Sequence, residues 1–187
     1  MLKHEKIVEV IKEEFPGLFE HTEVNVAIVD APPYDPEVDI DHIPAFGHMQ
    51  AISDDQGIHY EMNLAWGLHR YYNRIIHTGV NEELASFLKT LNISFDETSL
   101  FIFSMLHETG HIKLYQDSVD LTGNGKLARY LGDTGEQLMS LVADRVDEST
   151  MDIIYGTFSI HELSADLFAY KHFPMIYEKA HNAIQLL

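Results

Sequence analysis

The chain opens with apolar positions at helical spacing: Leu2, Ile7, Val10, Ile11 and Phe15 stand among lysines and glutamates. This pattern predicts an amphipathic helix over 2–15, stopped by Pro16-Gly17. The run Val24-Asn25-Val26-Ala27-Ile28-Val29 then predicts a first strand. Asp30 to Pro44, rich in proline and acidic residues, predicts an irregular loop. Two short runs, Phe46 to Ile52 and Ile58 to Leu64, flank Asp54-Asp55-Gln56-Gly57 and predict a β-hairpin. In the second run Ile58, Tyr60, Met62 and Leu64 alternate with His59, Glu61 and Asn63, which gives one buried face and one wet face.

Helical patterns follow over 65–77 and 81–91, the second opening on the acids of Asn81-Glu82-Glu83. Ser94-Phe95-Asp96-Glu97 has the spacing of a capping box and predicts the start of another helix. Residues 117–135, punctuated by Gly123, Gly125, Gly132 and Gly135, predict a loop. Helices are predicted over 136–147 and 159–172, the latter ended by Pro174, with a last helix from 175 onward. No repeat or linker divides the chain, so 1–187 reads as a single domain. The order of elements predicts an α+β fold, helix-rich, with a small, mostly antiparallel sheet packed on the helix that the Ser94-Phe95-Asp96-Glu97 capping box starts.

That helix carries the strongest chemical signal. Within Phe101 to His111 stands His107-Glu108-x-x-His111, and residues four apart share one helix face. The two imidazoles are therefore placed to share one metal ion. Glu108 points to the adjacent sector, where it can act on water without being a ligand. The plainer reading, two surface histidines on an amphipathic helix, is opposed by Leu100, Phe103, Leu106 and Leu114, which put the motif beside a buried face. Gly110 is a poor helix former whose missing side chain lets another segment approach closely.

Composition narrows the chemistry. The chain has no cysteine, so any metal must sit on histidine and carboxylate. Its formal charge of −18 opposes direct nucleic-acid binding and suits a basic protein substrate, although an acidic surface also simply aids solubility. The N-terminal residues lack the pattern of a secretory signal, and no stretch approaches the ~18 apolar residues of a membrane span. The expected setting is cytoplasmic, with no membrane partner. Asp39-Ile40-Asp41-His42 reads as a solvated acidic loop, and His48, His59 and His69 read as scaffold. Gly123-Asn124-Gly125-Lys126 lacks the spacing of a phosphate loop.

A catalytic zinc site takes three protein ligands, so a third is needed from another element. The candidate stretch is His161-Glu162-Leu163-Ser164-Ala165-Asp166. Glu162 and Asp166 share a helix face, so Glu162 can bind metal while Asp166 accepts a hydrogen bond from a ligand histidine. His161 is a rival ligand, and Ser159-Ile160-His161-Glu162 also fits a capping box that would make Glu162 a helix-start residue.

The two motifs together, His-Glu-x-x-His and a later Glu-x-x-x-Asp, resemble those of the gluzincin peptidases. More narrowly, Glu162-Leu163-Ser164-Ala165-Asp166-Leu167-Phe168-Ala169 is similar to the signature of the ImmA/IrrE family of intracellular metallopeptidases, often carried by phages and mobile elements. The hairpin ending in Asn63 is similar to that family's edge-strand region, and the resemblance covers roughly residues 46–174. It implies a zincin-like fold, zinc held by His107, His111 and Glu162, Glu108 as general base, and peptide-bond hydrolysis in a protein substrate. An extended peptide is expected to add to an edge strand near 58–63. Tyr155, just before the Glu162 segment, is a candidate oxyanion donor, although a tyrosine there is more often packing. Two alternatives stand beside this reading: a zinc hydrolase of a non-peptide amide, and a catalytically silent metal-binding regulatory module.

Overall fold

The computed structural model describes residues 2–29, 47–54, 57–69, 79–122 and 148–186, and of 53–54, 79–82, 118–122 and 148–161 the backbone alone. The predicted acidic loop of 30–44 and the helix of 136–147 lie outside the described residues.

Helix α1 (Lys3–Glu14) buries Ile7, Val10 and Ile11 on one stripe. Glu5 accepts the Leu2 backbone N–H at 2.6 Å and so ties down its first turn. Proline cannot supply the next helical N–H, so the chain restarts at Pro16 as the single turn α2 (Pro16–Phe19).

The sheet comprises β1 (Thr22–Ile28), β2 (Gly47–Asp54) and β3 (Gly57–Trp66), in the order β1-β3-β2. The β2–β3 hairpin is antiparallel, as its tight connection requires, with Met49 opposite Met62. However, β1 runs parallel to β3, pairing Thr22 with Tyr60 and Ile28 with Trp66. The sheet is therefore mixed, not mostly antiparallel. The reason is that β1 joins the far side of β3 through a long-range pairing that no local turn dictates. It follows that β3 is the central strand and that 58–63 is not an edge; among the described residues the edges are β1 and β2. Tyr60, Met62 and Leu64 face the core from the middle of the sheet.

The helical pattern expected from residue 65 gives way to strand. Ala65 and Trp66 complete β3, and Val29 N–H continues the ladder to Trp66 O at 2.8 Å. Gly67 then turns the chain with φ +105, and a Cβ there would meet Val29 O at 2.4 Å. Residues 70–77 lie outside the described residues. Helix α3 (Gly79–Thr90) buries Leu84 and Leu88.

Helix α4 (Glu97–Thr122) carries the His-Glu-x-x-His motif and runs through the centre of the molecule. Phe101, Ile102, Met105, Leu106 and Ile112 are all buried, on more than one side of the helix. Two of its buried hydroxyls are satisfied within the helix: Ser104 donates to Leu100 O at 3.0 Å and Thr109 to Met105 O at 2.6 Å. The cap differs from the expected one. Asp96 and Ser99 cap the helix reciprocally: Ser99 N–H donates to the Asp96 carboxylate and Asp96 N–H to Ser99 Oγ, each at 2.9 Å. Glu97 instead accepts the backbone N–H groups of Gly67 and His69, at 2.7 and 2.8 Å, pinning the turn after β3. His69 also bonds Phe95 O through its ring at 2.9 Å, a scaffold role. The helix extends to 122, past the loop start expected at 117.

Helix α5 (Glu148–Ile184) is continuous, where two helices separated at Pro174 are expected from the sequence. A proline inside a helix costs about 3 kcal/mol. Here Pro174 points to solvent while Ala165, Ala169, Phe173, Ile176 and Ala180 form an unbroken buried stripe. Burying Phe173 and Ile176 contributes about 1.5–3 kcal/mol each, enough together to offset the proline. The close crossing of α4 and α5 occurs at Gly110, where a Cβ would lie 2.7 Å from Ala165 Cα and 3.0 Å from Phe168 Cβ. The α1 helix packs across both, and Lys179 of α5 pairs with Glu14 of α1. Among the described residues, no helix is long and apolar enough to cross a membrane.

Candidate metal centre

The crossing at Gly110 sets one turn of α5 against the motif turn of α4. His107 and His111 present their rings side by side, centroids 4.7 Å apart, with the two Nε2 atoms at 3.1 Å. Glu162 reaches both from α5: Oε2 lies 3.2 Å from His107 Nε2, and Oε1 lies 3.5 Å from His111 Nε2. In a tetrahedral site with bonds of about 2.0–2.1 Å, neighbouring ligand atoms stand roughly 3.3 Å apart. The three observed separations bracket that value. Among the described residues, this is the group of His and carboxylate side chains that could hold a metal ion, with all its donor atoms within 4.8 Å of one another.

The donor chemistry fits a cation as well as the spacing does. His107 Nδ1–H donates to Asp166 Oδ1 at 2.8 Å, which leaves Nε2 as the nitrogen turned toward His111 and Glu162. Burial works against a charged His107 ring, but the hydrogen bonds to Asp166 and Glu162 and the nearby Glu108 charge outweigh it. Together they push its pKa up to about 10. The carboxylates of Asp166 and Glu162 beside the ring favour positive charge there.

Glu108 is 7% exposed and sits beside the donor group without belonging to it. Burial pushes its carboxyl up to about 7; the His107 charge opposes this, Glu162 adds to it, and a hydrogen bond from the Met49 backbone N–H opposes it again. A carboxyl poised near neutrality is suited to taking a proton and returning it.

Sequence reasoning thus identified residues that the structure brings together: His107, Glu108, His111, Glu162 and Asp166. The side chains of Tyr155 and His161 lie outside the described residues. The contribution of β2 was missed. Gly47 and Met49 form the wall against which Glu108 rests, and a glycine at the start of a short apolar run reads only as a turn signal. No protein-family model matches the chain, and no curated protein or solved structure matches it either.

Proposed function

We propose that the protein is a zinc-dependent metallopeptidase of the gluzincin type, similar to the ImmA/IrrE family, acting on an intracellular protein substrate. The observation that carries this reading is the buried carboxyl of Glu108 held against, but outside, the His107–His111–Glu162 group. A purely structural metal site has no use for an extra buried acid, whose burial is itself unfavourable. This favours the hydrolase over the silent module.

His107, His111 and Glu162 would hold the ion, and Asp166 fixes the His107 ring with Nδ1 protonated. A zinc ion bound there supplies Lewis acidity toward a carbonyl oxygen and toward water. Glu108 then takes the proton of the attacking water and hands it to the departing amine nitrogen, so the peptide bond breaks with no net change at Glu108. The substrate backbone adds to the edge strand β2, which borders Glu108, in place of the central β3. The chain's charge of −18 suits a basic substrate segment.

The test is Glu108→Gln. The variant is expected to retain zinc and to lose hydrolysis of a quenched-fluorescent peptide library. Loss of the metal together with activity would contradict the role given to Glu108.

A further inference from the structure

A glycine is required in a strand for one of two reasons, its backbone conformation or its lack of a side chain. Among the described residues, the glycines with positive φ are Gly57 and Gly67, so conformation does not explain Gly47. Space does. A Cβ on Gly47 would lie 2.7 Å from Glu108 Oε1, 2.8 Å from its Cγ and 3.1 Å from its Cδ. Its three nearest neighbours all belong to that one side chain. Two residues along β2, the Met49 backbone also acts on this carboxyl, opposing the rise in its pKa. The Glu108 side chain thus rests against β2, in the space that the missing side chain of Gly47 leaves.

We propose that Gly47 is a positioning residue for Glu108, reserving the space in which the proposed general base sits. The inference rests on the metallopeptidase reading for its catalytic consequence and not for the contact itself. Any side chain at 47 must displace something, and the displaced group is the Glu108 carboxyl. The donor atoms of His107, His111 and Glu162 are not among the three nearest neighbours of that added carbon. Metal affinity and base position should therefore separate at this residue.

A double-mutant cycle in metal-free full-length protein tests the contact. Gly47→Ala is expected to lower the melting temperature of the parent chain, and to leave it unchanged or raise it in a Glu108→Ala background, where the obstructing side chain is gone. If Gly47→Ala fails to fold alone, folding of the double variant supports the proposal and its failure overturns it. Equal melting shifts in both backgrounds also overturn it. In the zinc-loaded protein, Gly47→Ala should keep wild-type zinc affinity by chelator competition while peptide-library hydrolysis falls about 100-fold, the scale of a misplaced reacting group. Hydrolysis at the wild-type rate would overturn the positioning role. A wild-type chain that takes up no zinc would sink the proposed function and leave the contact to be decided by the melts.

Discussion

His107 Nδ1 and Asp166 Oδ1 stand 2.8 Å apart, joining α4 to α5 across 59 residues of sequence. The bond selects the tautomer of His107 and orients its ring toward Glu162, which lies one turn before Asp166 on the same helix face. One helix thus supplies both an inner carboxylate and the outer one that aims its partner.

Asp166→Asn removes the charge behind His107 and keeps the side-chain shape. Zinc affinity or hydrolysis is expected to fall about 10–100-fold, measured by chelator competition and peptide turnover. A variant indistinguishable from wild type in both would show the pair to be incidental.

Gly110→Ala should gain roughly 1 kcal/mol of helix propensity yet destabilise the protein overall. The added carbon would meet α5 backbone at Ala165, and overpacking of this kind costs typically ~1–3 kcal/mol. It should also push Glu162 away from the histidines. Denaturant unfolding and zinc titration check both effects, and a stabilised variant with normal zinc binding contradicts the close crossing.

The metal-free protein should lose stability as pH rises. His107 has its pKa raised from 6.5 to about 10, so its contribution is fully present below 6.5 and is lost as pH climbs through 10. Glu108, raised from 4.5 to about 7, acts with the same sign over its own lower window. Chelator-treated protein should therefore melt higher at pH 6 than at pH 9. Zinc uptake displaces the His107 proton, so affinity should rise with pH over the same upper window. A melting temperature that rises from pH 6 to pH 9 would contradict this electrostatic picture.

The centre was readable in the sequence because its geometry is local. Residues four apart share a helix face wherever the helix lies, so His107 with His111 and Glu162 with Asp166 were pairs before any tertiary structure was known. Gly110 announced a close approach by its cost in a helix. What could not be read depends on distant partners. The strand 58–63 looks like half of a hairpin; only the long-range parallel pairing of Thr22 with Tyr60 makes it central, with β2 on its other side. Pro174 signals a break locally, yet the packing of Phe173 and Ile176 on the core carries α5 through it. Glu97 fits a cap by spacing, but the turn at Gly67 and His69 claims its carboxylate.

The account turns on Glu162 completing a metal centre begun by His107 and His111, and competitive zinc titration tests this most directly. Wild type should bind one zinc per chain, Glu162→Ala should bind it orders of magnitude more weakly, and His161→Ala should bind it as wild type does. Glu162 stands inside α5, which begins at Glu148, so the helix-start role that Ser159-Ile160-His161-Glu162 suggests does not apply; thermal melts of the metal-free variants check that its loss leaves the helix intact. Unchanged zinc affinity in Glu162→Ala, with loss in His161→Ala, would move the third ligand one residue back and contradict the centre described.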